Sequence, residues 1–206
     1  MKVLLINGSP NANGNTAFAL RQMVEIFESE GITAEIMQVG NQKIHGCTAC
    51  GGCCKHGKCV FDDLVNEAAE KLKDADGIVL GSPVYYASPN GTLLSFLDRL
   101  FYSSGTIDKR MKVGSSVVVA RRGGCSASLD VLNKYFSISQ MPIASSTYWN
   151  LIHGSKPCEA AQDAEGIRTV RNLAKNMVFL MRSVAWGKES IGLPEAEKPV
   201  FTNFIR

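Results

Sequence analysis

Val3-Leu4-Leu5-Ile6-Asn7-Gly8-Ser9-Pro10-Asn11-Ala12-Asn13-Gly14-Asn15-Thr16 is the stretch on which the fold turns. Four consecutive apolar residues that run at once into Gly-Ser-Pro read as a short strand buried on both faces, the pattern of a parallel sheet covered by helices. Beyond the loop, Ala17, Leu20, Met23, Val24 and Phe27 recur at helical spacing up to Gly31, a candidate C-cap. The same alternation continues along the chain. Strands are expected at Thr33 to Val39, Gly77 to Gly81, Val113 to Ala120 and about Thr147 to Ile152. Helices are expected from Leu64, with Asp62 or Asp63 as cap, through Thr92 to Phe101, from about Ser126 to Phe136, and from about Glu159 to Val184. Five strands alternating with five helices imply right-handed crossovers and an α/β, doubly wound, three-layer sheet.

Composition agrees with that class. The chain has 206 residues, 45% of them hydrophobic and 20% charged, with 22 Lys and Arg against 19 Asp and Glu for a net charge of +3. This suits a single globular domain and is too weakly basic to argue for a nucleic-acid partner. No apolar run reaches the roughly 20 residues of a membrane helix, and the opening run is too short for a signal-peptide core, so a cytoplasmic location without a membrane partner is expected. Residues 1–185 form the expected domain, with a cysteine-rich loop at 45–60. The tail 186–206, interrupted by Pro194 and Pro199, is expected as an arm.

In a doubly wound sheet, ligands sit outside the carboxyl ends of the strands, so the loops there carry the functional information. Gly14, Asn15 and Thr16 put backbone N–H groups and a hydroxyl at a helix N-terminus, which favours a phosphate. The loop lacks Gly-Lys-Ser/Thr, so it is no triphosphate loop, and G-x-G-x-x-G is absent from the chain. A lysine-free grip suits a terminal phosphomonoester; the bland alternative is an ordinary capped turn. The second loop, Ser82-Pro83-Val84-Tyr85-Tyr86-Ala87-Ser88-Pro89-Asn90-Gly91, carries two aromatics able to line a flat ring. The third, Arg121-Arg122-Gly123-Gly124, offers glycines for close backbone approach and arginines able to pair with phosphate, Arg121 foremost.

These three loops together resemble the flavodoxin-like NADPH-dependent FMN reductase family. The resemblance implies a flavodoxin-like five-stranded parallel sheet and an FMN at its carboxyl edge. It carries phosphate contacts to Ser9, Asn11, Asn15 and Thr16, and ring contacts to Pro83, Val84, Tyr85, Tyr86, Gly123 and Gly124, with Asn90 and Arg121 completing the set. It also implies NAD(P)H or a reduced carrier as electron donor, a small-molecule or protein acceptor, and assembly as homodimers or homotetramers.

The sharpest motif is Cys47-Thr48-Ala49-Cys50-Gly51-Gly52-Cys53-Cys54-Lys55-His56-Gly57-Lys58-Cys59. Clustering of five cysteines in one stretch points to metal or redox chemistry rather than to a secreted disulfide framework. A C-x2-C-x2-C run with a fourth cysteine farther on suits an iron-sulfur cubane. The spacing is similar to that of the iron-sulfur flavoprotein branch of the same family, which implies Cys47, Cys50, Cys53 and Cys59 as ligands of a [4Fe-4S] cluster, with Cys54 as a departure. Zinc, and cluster-free thiols or a local disulfide, are the alternatives, and with them a cluster-free NAD(P)H:FMN or quinone reductase or a zinc-binding, non-redox module. Cys125 and Cys158 stand alone without a nearby His. No G-x-S-x-G or H-E-x-x-H motif occurs, so no catalytic acid, base or nucleophile is expected from the chain.

Overall fold

A computed structural model of the chain describes residues 1–202 and 204. Strand β1 (Lys2–Asn7) pairs in parallel with β2 (Thr33–Gln38) on one side and with β3 (Gly77–Tyr85) on the other. β3 continues to β5 (Val113–Ala120), and β5 to β6 (Leu151–His153), all in parallel. The order β2-β1-β3-β5-β6 is the flavodoxin order, with β1 and β3 flanking the point where the winding reverses.

The apolar run at the start shows how the sheet is covered. Val3 and Leu5 face α1 (Asn15–Ser29) and α6 (Ala164–Ser190). Leu4 and Ile6 face α3 (Leu64–Asp74), α4 (Gly91–Ser103) and α5 (Cys125–Ile138). All four are 2% exposed or less, so one strand supplies both halves of the core by the alternation of its side chains. The α1 helix ends as Gly31 suggests: Ile32 N–H donates to Phe27 O at 2.9 Å and Gly31 N–H to Glu28 O at 3.0 Å, with Gly31 at φ 71°, a Schellman closure.

Several boundaries differ from the sequence reading. β3 runs on through Pro83 and Val84 to Tyr85, where a bare loop was expected. A two-residue strand β4 (Ser88–Pro89) folds back on it, and the Ser82 hydroxyl accepts from Asn90 N–H at 3.0 Å to hold the hairpin. The link, Tyr86-Ala87, has φ of 50° and 59°, the twist of a type I′ turn made without glycine. The last strand starts at Leu151 rather than near Thr147, since the preceding Tyr148 and Trp149 turn out into solvent. A short helix α2 (Gly52–His56) forms within the cysteine loop between Gly51 and Gly57, both left-handed. The final helix begins after a 3-10 turn (Glu159–Gln162) and ends at Ser190, six residues beyond Val184, so Trp186 lies on the helix and not in the tail.

Asp163 starts α6 by accepting from Gly166 N–H at 2.9 Å, and its second oxygen accepts from His153 N–H at 2.7 Å at the end of β6. Replacing it with alanine removes both bonds. The expected cost is about 1.5 kcal/mol, in the upper part of the range for a lost cap, which lowers the thermal midpoint by roughly 3–6 °C in a calorimetric scan.

Candidate functional site

The carboxyl end of β1 is locked before its loop begins. Asn7 is fully buried; its amide donates to Gln38 Oε1 at 2.6 Å, and its Oδ1 accepts from Ser9 N–H at 3.1 Å. Gln38 in turn donates to Ser9 O at 2.6 Å. The loop then winds through side-chain turns, with Ser9 Oγ accepting from Asn11 N–H and Asn11 Oδ1 from Asn13 N–H, both at 3.1 Å. Gly40 lies flat against this loop, and a Cβ there would overlap Gly8 O and the Ser9 carbonyl carbon. No neighbour in that contact is a flexible side chain, so only glycine fits.

The first helical bond of α1 runs from Phe18 N–H to Gly14 O. The N–H groups of Asn15, Thr16 and Ala17 therefore lie ahead of the ladder and point their positive ends out of the helix. The cap, Gly14, contributes no side chain, and the first turn holds no acidic residue. Such an end accepts an anion.

One cavity of about 310 Å³ opens in front of these groups. That is at the small end of the range for ligand sites, ~300–1,000 Å³. Its walls include Ser9, Asn11, Asn15, Thr16, Pro83, Val84, Tyr85 and Arg121 from the expected residues, together with Pro10, Gly14, Val119 and Ala120. Among the described residues that line it, the charge comes from Arg121, and no carboxylate faces in. The donors cluster at the α1 end, while Pro83, Val84 and the half-exposed Tyr85 give the other wall an apolar strip. The donor set fits a phosphate attached to a flat ring system.

Four expected residues lie outside this cavity. Tyr86 is fully exposed at the tip of the hairpin. Asn90 is buried and spends its Oδ1 on Thr92 N–H, capping α4 at 2.7 Å. Gly124, at φ 92°, is the N-cap of α5 and packs on Ala87, and Gly123 is exposed beside it. Within the cavity, the Asn15 side chain is already engaged: its amide donates to Lys156 O at 3.0 Å and its Oδ1 accepts from Ala160 N–H at 3.2 Å. One Nδ2 N–H and its backbone N–H are left for a ligand. That tie brings in a wall the sequence reading missed, Gly154, Ser155 and Pro157 after β6. The signal was present, because these residues follow directly on the fifth strand at the edge where ligands gather.

The cysteine loop builds a second concavity. Cys47, Cys50, Cys53 and Cys59 all line it, with Phe61, Arg99, Tyr102 and Ser103 at its base. Cys54 does not line it. Among the described residues no three Cys, His, Asp or Glu side chains converge closely enough to hold a single metal ion. The four thiols therefore surround a space rather than a point. The Gly52 backbone and the Thr48 side chain hold the Cys50 thiol below its ordinary value, while burial and the neighbouring Cys54 push Cys53 up. Cys54, Cys53 and Cys47 together push up Tyr102, whose phenolate they oppose. Burial also raises Cys125, which sits apart in the core.

Arg99, which the sequence reading also passed over, organises this loop. It is 2% exposed, and Phe61 lies 4.8 Å from its guanidinium carbon. Nε and Nη2 donate to Cys59 Sγ at 3.3 and 3.1 Å, Nη1 and Nη2 to the Asp63 carboxylate at 2.7 and 3.0 Å, and Nη1 to His45 O at 3.2 Å. Burial works against the charge, and the bonds to Asp63 and Cys59 outweigh it, so the guanidinium is held firmly protonated. Its clue was phase: Arg99 follows Phe96 by three residues on the face of α4 that Leu93 and Leu100 bury. Nearby, the Ser103 hydroxyl is buried without a hydrogen-bond partner among the described residues, although it lines the same concavity. Four thiols, a buried cation and an unsatisfied hydroxyl form a donor set that fits an iron-sulfur group.

Comparison with known proteins gives the following. The family model described as NADPH-dependent FMN reductase matches residues 1–156. An iron-sulfur flavoprotein of Methanocaldococcus jannaschii is 32% identical over 191 residues, covering 89% of this chain and 99% of its own length. An iron-sulfur flavoprotein of Archaeoglobus fulgidus is 32% identical over 202 residues, covering 96% and 98%. Among solved structures, a flavodoxin from the domain Archaea superposes with a TM-score of 0.56 at 15% identity over 86% of this chain and 99% of its own.

Proposed function

This chain belongs to the NADPH-dependent FMN reductase family, in its iron-sulfur flavoprotein branch, and from that premise we propose that it moves electrons from NAD(P)H or a reduced carrier to a small-molecule or protein acceptor, using FMN together with a [4Fe-4S] cluster. The observation that carries this reading is the cavity before α1, whose donor-rich end and apolar strip suit the two ends of one coenzyme. Bound FMN would supply hydride and single-electron chemistry, and the chain would supply position and electrostatics.

Each wall then has a task. The free N–H groups of α1, with the hydroxyls of Ser9 and Thr16, hold the phosphate without a lysine. Pro83, Val84 and Tyr85 set the plane of the ring and keep water from one side of it. Arg121 balances negative charge at the opening. The reacting atoms would belong to the coenzyme, and the side chains of the cavity would hold and orient it. In the second concavity, Cys47, Cys50, Cys53 and Cys59 would ligate the cluster, which passes electrons singly. The exposed Trp149, Phe179 and Trp186 offer apolar surface for assembly of the chain as a dimer or tetramer, read by sedimentation. The proposed location is cytoplasmic; no helix among the described residues is long and apolar enough to cross a membrane.

Anaerobic purification tests the reading. Stoichiometric FMN, iron and acid-labile sulfide in equal amounts, and NAD(P)H oxidation with an added acceptor are expected. A protein that takes up no flavin overturns it. Since no three Cys, His, Asp or Glu side chains converge on a single point among the described residues, a cluster-free reductase stands as second reading; flavin and turnover without sulfide would favour that one.

A further inference from the structure

The cysteine concavity holds more than its four thiols. Arg99 uses all five of its N–H groups there, and two of those bonds end on one sulfur, that of Cys59. A guanidinium aimed twice at a thiol, and itself almost wholly buried, is unusual because burying the ion is costly unless every donor is satisfied. Asp63 and the His45 carbonyl provide the rest of that satisfaction and tie Arg99 to both flanks of the cysteine run, residue 45 before it and residue 63 after it. The second observation is independent. Ser103 lies on the same helix, one turn further on, 5% exposed; it lines the same concavity, and its buried hydroxyl has no partner among the described residues. A buried hydroxyl left unpaired costs free energy, which an acceptor in the concavity would relieve.

Resting on the cluster reading given above, we propose that Arg99 and Ser103 are positioning residues that set the reduction potential of a cluster held by the four cysteines. Reduction adds one electron and hence one negative charge to the cluster. Hydrogen bonds to its sulfurs and a fixed positive charge beside Cys59 stabilise the reduced form more than the oxidised one and so raise the potential. Arg99 supplies the charge and holds the Cys59 sulfur in place, and Ser103 offers an O–H to a cluster or ligand sulfur. Asp63 opposes them by neutralising part of the guanidinium charge at 2.7 Å. Three residues from α4 and the start of α3 thus act on one quantity with predictable signs.

The test uses the full-length protein, reconstituted anaerobically with ferrous iron and sulfide, and compares Ser103→Ala, Arg99→Lys and Asp63→Asn by redox titration, followed by absorbance and by the spin signal of the reduced cluster. Ser103→Ala should load as much iron and sulfide as the parent, keep its thermal midpoint, and shift the potential to more negative values. Arg99→Lys keeps a cation but loses the fork, and should shift it further in the same direction. Asp63→Asn still caps α3 and should shift it to more positive values. Loaded variants with the parent's potential would overturn the proposal and leave the cluster reading standing. A parent that takes up no iron and sulfide would overturn both. If Arg99→Lys does not fold, the opposite shifts of Ser103→Ala and Asp63→Asn decide the matter, and equal potentials in that pair overturn the proposal.

Discussion

Gly40→Ala is expected to destabilise the protein by about 3 kcal/mol and to weaken FMN binding on the order of 100-fold. The added methyl has nowhere to go: it would overlap the carbonyl of Gly8 and the backbone of Ser9, both fixed by the Asn7 and Gln38 bonds. Overpacking against side chains costs about 1–3 kcal/mol, and against backbone the upper end applies, since no rotamer change relieves it. Relief has to come from moving the loop that presents Ser9 and the first turn of α1. Two hydrogen bonds to a charged phosphate, at roughly 1.5 kcal/mol each or more, account for the affinity loss. A thermal midpoint lower by roughly 6–12 °C, together with a flavin titration, checks both parts. Gly187→Ala provides the control of opposite sign. That glycine lies in α6 with open space around it, and the change is expected to stabilise by about 0.5–1 kcal/mol. A parent-like midpoint and affinity in Gly40→Ala would show that the loop does not need the close approach.

Asn11→Asp is expected to separate folding from flavin binding. The substitution keeps the shape and still accepts from Asn13 N–H, so the loop is preserved. It places a negative charge beside the N-terminus of α1, which favours the flavin-free fold by about 0.3–1 kcal/mol. The same charge repels a phosphate in the cavity. At an intermediate effective dielectric, a repulsion of about 2 kcal/mol is reasonable for charges several ångströms apart, or roughly 30-fold in affinity. The loss should shrink as salt is added, because the opening is wet and screened. Flavin titration at two ionic strengths, with thermal scans of the flavin-free protein, gives the outcome. Unchanged affinity would mean that the phosphate does not sit at this end.

What could be read from the sequence follows from the range of the interactions involved. The run Val3 to Ile6 announced its own burial, because the middle of a strand covered on both faces favours apolar side chains at every position. The cysteine spacing was equally local. Asn15 and Asn90 suited a ligand by type and position, yet each has an internal partner, one 141 residues away and one two residues on, and only coordinates show which claim on an amide is met. Arg99 was hidden for the opposite reason. In sequence it reads as an ordinary charge on an amphipathic helix, and its partners lie 36 to 54 residues upstream. The last strand was placed too early since Tyr148 and Trp149 look β-prone, whereas exposure and a bend claim them here.

The hairpin at the cavity mouth has one more implication. Tyr86 and Ala87 both adopt a backbone shape that side chains ordinarily resist, braced from behind by Gly124. A turn in that shape carries backbone strain of about 1–3 kcal/mol per residue, which the pairing of β3 with β4 has to offset.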